Sequence, residues 1–257
     1  MINQQLNNPP NIIGISGKIN CGKDLVGKII QYLTTTNEYV LKNKPTFEDW
    51  MNNYSHHSNW EIKKFADKLK DIVCLLIGCT RQQLEDRNFK EKDLGEEWNK
   101  IVHPIINGFS KEDIDLVEKL TPRKILQLLG TECGRHIVHP NIWVNALFAD
   151  IDKELNANPN YNKKGFIITD VRFPNEADAV KDREGIIIRI ERNDYIFDEN
   201  GKRIIPTKEY INTNNKQHES ETALDNYKFD YVINNNGTIN NLVDKVKEIL
   251  IKENKLL

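Results

Sequence analysis

Long apolar runs are missing from this sequence of 257 residues, and their absence excludes a membrane-spanning helix, which needs about 20 consecutive apolar residues. Residues 1–10 are polar and rich in asparagine rather than basic and then apolar, so no secretory leader is expected and a cytoplasmic location is. Cysteine is scarce: Cys21, Cys74, Cys79 and Cys133 fall at spacings that suit neither a zinc site nor a disulfide framework. All four are expected to be reduced thiols, with Cys21 the most open to modification. The adjacent His56 and His57 sit in a polar stretch, and the other histidines show no metal-ligand spacing. A charge excess of one sign is missing too. With a formal net charge of -2, no general attraction to nucleic acid is expected, although local basic clusters can still grip phosphate groups. No internal repeat is present.

What the chain does have is enough apolar content, 39%, to bury one sizeable core. Strand-like runs are few and far apart, at residues 12–15, 165–169, 186–190 and 231–234. Helical spacing fills the gaps, at 25–33, 66–77, 123–129, 143–155 and 239–251. Strands separated by helices predict a parallel sheet with right-handed crossovers, that is, an α/β fold built as a three-layer α/β/α sandwich. Residues 34–60 and 91–120 are polar and weakly periodic, and are expected to form loops and short helices on the rim. A single domain spanning 1–257 is expected.

The most informative run is Ile12-Ile13-Gly14-Ile15-Ser16-Gly17-Lys18-Ile19-Asn20-Cys21-Gly22-Lys23-Asp24. A short apolar strand ends in Gly-x-x-x-x-Gly-Lys, and Leu25, Val26, Ile29, Ile30 and Leu33 then recur at helical spacing. The glycines let the backbone fold back with several N–H groups aimed inward, the helix adds its positive end, and Lys23 adds a full charge. Such a loop holds a nucleoside triphosphate. Asp24 stands where a Ser or Thr hydroxyl normally reaches magnesium. It either holds the ion through its carboxylate or serves only as an acidic residue at the helix start.

Two further runs carry charge at places where an α/β sheet binds ligands. In Phe166-Ile167-Ile168-Thr169-Asp170-Val171-Arg172-Phe173-Pro174-Asn175-Glu176 a buried strand ends in charged groups, and Pro174 stops the ladder. These residues either face a ligand or fix a turn through an Asp–Arg pair and a Glu at a helix start. In the second run Thr121 and Pro122 read as cap and first turn of a helix bearing Arg123 and Gln127, which Gly130 is expected to end. Arg123 and Arg135 suit a phosphate through forked hydrogen bonds, and Trp143 either stacks on a base or packs in the core.

Taken together, Gly22-Lys23-Asp24, Phe65-Ala66-Asp67-Lys68-Leu69-Lys70, Asp86-Arg87, Leu128-Leu129-Gly130-Thr131-Glu132 with Arg135 and Trp143, and the run from Asp170 to Glu176 resemble the deoxynucleoside monophosphate kinases of bacteriophages, a P-loop kinase family. The resemblance extends from Ile12 to the final helix, through His218-Glu219-Ser220-Glu221, Leu224 and Asp225. The Gly-Lys-Asp ending is characteristic of that family, whereas Leu25 stands where it often has Thr. The resemblance implies transfer of the γ-phosphate of ATP to a deoxynucleoside monophosphate, with Mg2+. Lys18, Asn20, Gly22, Lys23 and Asp24 would bind ATP, with Asp24 at the metal. Lys70, Arg87, Arg123, Gly130, Thr131, Trp143, Asp170, Arg172 and Glu176 would bind the acceptor, and Lys23, Arg123 and Arg135 would act on the transferring group. It further implies a helical substrate-binding insertion at about 61–143, a lid at about 193–217 and the possibility of a homodimer. For a phage protein the location would be the host cytoplasm. Kinases of other small metabolites such as dephospho-coenzyme A share the loop and layer order, and a non-catalytic nucleotide-binding regulator would share the loop.

Overall fold

Apolar strands and amphipathic helices alternate along the chain in a computed structural model that describes residues 11–102, 116–157, 165–192, 196–197, 203–204 and 219–256. In chain order the elements are β1 (Asn11–Gly17), α1 (Lys23–Leu33), α2 (Glu38–Asn43), α3 (Phe47–Asn53), β2 (Trp60–Lys63), α4 (Asp67–Ile77), α5 (Arg81–Glu85) and α6 (Arg87–Lys90). There follow β3 (Lys100–Val102), β4 (Leu116–Glu118), α7 (Pro122–Gln127) with a π-helical continuation (Leu128–Val138), and α8 (Ile142–Ala157). The chain ends with β5 (Gly165–Val171), α9 (Pro174–Lys181), β6 (Ile186–Glu191), β7 (Ile196–Phe197), β8 (Arg203–Ile204), β9 (Tyr231–Asn234) and α10 (Ile239–Lys252). The chain divides into two compact units: Met1–Lys64 with Leu147–Leu257, and Phe65–Ala146.

The first unit is built on a five-stranded sheet in the order β2-β5-β1-β6-β9, parallel at every pairing. Strand side chains alternate between faces. Ile13 and Ile15 of β1, Ile167 of β5, Ile188 and Ile190 of β6 and Ile233 of β9 enter one core with Val26, Ile29 and Ile30 of α1 and Leu242, Val246 and Leu250 of α10. On the other face Ile12, Phe166, Ile168 and Ile187 are fully buried, as are Ala177 and Val180 of α9. Helices therefore cover both faces of a parallel sheet, the α/β arrangement expected from the alternation of patterns. Each of the four predicted strands is present.

The rim prediction for residues 34–60 needs correction. These residues do form short helices, but Val40, Phe47 and Trp50 belong to the core, and Trp60 opens β2, an edge strand only four residues long. Polar residues on the outer faces of α2 and α3 hide three buried side chains from a periodicity count. Trp50 is fully buried and its indole N–H donates to the Thr35 hydroxyl at 3.1 Å. Replacing Trp50 by alanine is expected to cost about 3–5 kcal/mol, read as a lower denaturant midpoint with an unchanged slope.

In the second unit Thr121 caps α7 by accepting the Lys124 N–H, with Pro122 in the first turn as predicted. Gly130, however, does not end the helix. The backbone continues as a π-helix to Val138, closed by the His139 N–H on the Gly134 carbonyl. Gly130 lacks the positive φ of a terminating glycine and serves instead as a place of close approach, since a Cβ there would lie 2.7 Å from Leu69 Cδ2. A short antiparallel pair, β3 with β4, completes the unit. The predicted lid falls largely outside the described residues, within which β7 and β8 pair antiparallel.

Candidate active site

The strand β1 ends at Gly17 and α1 begins at Lys23, so residues 18–22 form the connecting loop. Gly22 has φ +102, and a Cβ on it would lie 2.5 Å from Asn235 Nδ2; both the backbone conformation and the close approach require glycine. Asn20 adopts the left-handed region at φ 62, which a short polar side chain tolerates. The Asn235 amide donates to the Cys21 carbonyl at 2.9 Å, so the turn after β9 buttresses the loop. Lys18 and Asn20 are exposed.

The Lys23 ammonium donates to the carbonyls of Gly17 at 2.7 Å and Lys18 at 2.6 Å. Burial pushes its pKa below the ordinary value, and the nearby Arg172 pushes the same way. Cys21 is only 3% exposed, and burial raises its thiol pKa. The expectation that Cys21 is the modifiable thiol is thereby corrected: of the four free cysteines, Cys133 is the exposed one.

Asp24 lies at the first turn of α1 with much of its side chain in solvent. Its carboxylate accepts from the Thr169 hydroxyl at 3.0 Å and pairs with Lys64 at 2.9 Å. Partial desolvation would raise its pKa, but Lys64, Thr169 and Lys23 together outweigh it and hold the group below its ordinary range. A depressed folded-state pKa stabilises the fold above the unfolded value and the contribution disappears as pH falls through the lower folded value. Exposure limits the contribution to about 1 kcal/mol or less. The difference in melting temperature between the wild type and Asp24→Asn, measured without nucleotide, is therefore expected to be present at pH 7 and to shrink as pH falls through and below the ordinary aspartate range.

At the carboxyl end of β5, Asp170 is half-buried. The Glu176 carboxylate, buried at 1% exposure, accepts the backbone N–H groups of Arg172 at 2.7 Å and Phe173 at 3.1 Å. Glu176 thus holds the turn that carries Arg172. The Arg172 guanidinium donates to the Glu221 carboxylate.

The second unit gathers cations of its own. Lys70 of α4 pairs with Glu85 at 2.6 Å, Lys90 of α6 lies 3.6 Å from the same carboxyl group, and Arg123 of α7 pairs with Glu91. Burial lowers the Lys90 pKa, opposed by Glu85 and assisted by Lys70 and Arg123. Lys90 thus feels two further cations, Lys70 and Arg123, beside the Glu85 carboxylate. Arg87 is exposed at the start of α6, and Arg135 is half-buried in the π-helix. Thr131 is buried, and the Trp143 indole N–H donates to the Gly130 carbonyl at 2.8 Å. Trp143 is 6% exposed, so much of its ring packs within this unit.

Sequence patterns missed Lys64, Lys90, Thr169 and Asn235. Thr169 stands inside the run that ends β5 but beside charged neighbours that drew the reading, Asn235 follows a predicted strand, and Lys90 lies one helical turn from Arg87; Lys64 alone had no such signal.

The loop and the paired cations suit phosphoryl transfer, and the similarity of the sequence to known proteins decides the family. The profile of the deoxynucleotide monophosphate kinase family matches residues 65–246, well over half of the chain. The chain belongs to that family. The kinase is 26% identical over 264 aligned residues to the deoxynucleoside-5'-monophosphate kinase of Escherichia phage T5, covering 90% of this chain and 92% of the phage protein. It is also 30% identical over 134 residues to a protein of Acanthamoeba polyphaga mimivirus that carries the deoxynucleotide monophosphate kinase name provisionally, covering 49% of this chain and 59% of that relative. The kinase is accordingly a nucleotide phosphotransferase, as the motifs implied. Among its described residues no helix is long and apolar enough to cross a membrane.

Proposed function

We propose that this kinase transfers the γ-phosphate of ATP to a deoxynucleoside monophosphate, giving the diphosphate and ADP in the cytoplasm of the cell or infected host. The observation that carries the donor side is the Lys23 ammonium held over the carbonyls of Gly17 and Lys18 inside a glycine-bounded loop. Lys23 would bridge the outer phosphates. The backbone of Asn20 and Gly22 would supply N–H donors, and Lys18 would meet the nucleotide from the loop's exposed side.

Magnesium suits the donor set in part. Among the described residues no group of three or more His, Cys, Asp or Glu side chains gathers, so a magnesium ion here would be held by one carboxylate together with phosphates and water. Asp24, with the Thr169 hydroxyl behind it, is the residue for that role, and Lys64 would give way. When bound, the ion would neutralise charge on the donor phosphates.

Joining two polyanions makes charge neutralisation and positioning the main tasks. Lys70, Arg87 and Arg123 would bind the acceptor phosphate, with Glu85 and Glu91 holding Lys70 and Arg123 until it arrives. Arg135 would assist at the transferring group. Gly130, Thr131 and Trp143 would border sugar and base, while Asp170 and Arg172 would serve the acceptor, with Glu176 fixing the backbone of Arg172. The reading is tested by ADP release from ATP and magnesium with each deoxynucleoside monophosphate, each ribonucleotide counterpart and dephospho-coenzyme A. Turnover with one or more deoxynucleoside monophosphates alone supports it. Turnover with dephospho-coenzyme A, or ATP binding without turnover on any acceptor, overturns it.

A further inference from the structure

Glu221 has no part in the roles assigned above, yet its carboxylate joins the phosphate loop to Arg172. One oxygen accepts the Ile19 backbone N–H at 3.2 Å, and the other accepts from the Arg172 guanidinium. The Glu221 side chain is 13% exposed and that of Arg172 31%, so both are partly withdrawn from water. The Lys23 ammonium senses both groups, which act on it with opposite sign.

The segment bearing Glu221 is fixed by other contacts. Leu224 is buried, and the Asp225 carboxylate faces Arg189 of β6 at 3.5 Å. Arg189 is itself buried and donates to the Ser16 hydroxyl at 3.2 Å, two residues before the loop begins. Glu221 is therefore held from the sheet, and Arg172 is held from Glu221. An arginine side chain has several rotatable bonds and loses rotamer freedom when it binds phosphate; holding it beforehand removes part of that cost.

We propose that Glu221 is a positioning residue that keeps the Arg172 guanidinium beside the phosphate loop, so that it meets the phosphates already oriented. The proposal rests on the reading of Arg172 as a residue that serves the acceptor, whose phosphate it would meet. It is tested in the full chain by a double-mutant cycle of Glu221→Ala and Arg172→Ala. Steady-state rates are measured with the deoxynucleoside monophosphate that turns over fastest, and thermal melts are recorded for every variant.

If Glu221 acts through Arg172, Glu221→Ala lowers kcat about 30-fold with the KM for ATP changed less than about threefold, and Arg172→Ala lowers kcat about 100-fold. The double variant then stays within about threefold of Arg172→Ala. A double variant in which the two losses multiply overturns the positioning role while leaving the role of Arg172 intact. A Glu221→Ala enzyme with wild-type kcat overturns it as well. A fully active Arg172→Ala enzyme overturns the assignment of Arg172 and the proposal with it, a pattern distinct from multiplied losses. Should Glu221→Ala fail to fold, Glu221→Gln replaces it in the same cycle, because the amide keeps an acceptor for the Ile19 N–H and removes only the charge that holds the guanidinium.

Discussion

Replacing Lys23 by alanine is expected to lower kcat about 100- to 1,000-fold, the cost typical of removing one preorganised charge donor from a transition state. The ammonium sits where the loop meets α1, held by two backbone carbonyls and partly withdrawn from water. Lys23→Arg should recover little. The Gly17 and Lys18 carbonyls receive a compact ammonium, and a longer planar guanidinium spreads its charge over a fork and does not act as a single point charge. The fold should survive both changes, because the Lys23 contacts lie within the loop and add nothing to the core beneath it. The checks are single-turnover phosphate transfer and the melting temperature. Wild-type turnover in Lys23→Ala would remove the loop from the reaction altogether.

The second large effect is expected on the acceptor side. Arg123→Ala should lower kcat/KM for the monophosphate about 10- to 100-fold, as for loss of a forked, charge-assisted contact, with the KM for ATP nearly unchanged. Arg123 pairs with Glu91 in the second unit, and a phosphate would have to exchange with that carboxylate. Arg123→Lys keeps the charge without the planar fork and should recover only part of the loss. Equal effects of Arg123→Ala on both substrates would mean that the residue acts on the protein as a whole rather than on the acceptor.

Much of this arrangement is legible from residue order. The glycine spacing around Lys23, the proline after Arg172 and the Thr121-Pro122 start of α7 are local signals, and each produced the turn or cap expected of it. Where reading failed, the cause was also local. Gly130 looks like a helix stop because glycine often ends helices, but its missing Cβ serves the approach of Leu69. Cys21 looks available because it lies in a loop, but the loop is packed against the sheet and buries the thiol. β2 escaped notice because four residues on a sheet edge are too few to establish an alternation.

The sequence by itself determined the α/β class, the phosphate loop with its lysine and the kinase family, because these depend on short-range backbone chemistry and on the spacing of a few residue types. Only the tertiary structure decided what surrounds that loop. Asp24 meets Thr169 from 145 positions away, Ile19 meets Glu221 from 202 and Cys21 meets Asn235 from 214. A parallel sheet brings together the carboxyl ends of strands that are distant in sequence. Thr169 and Asn235 therefore come from the carboxyl ends of other strands, and Glu221 from a segment held against the loop, at separations that no local pattern encodes.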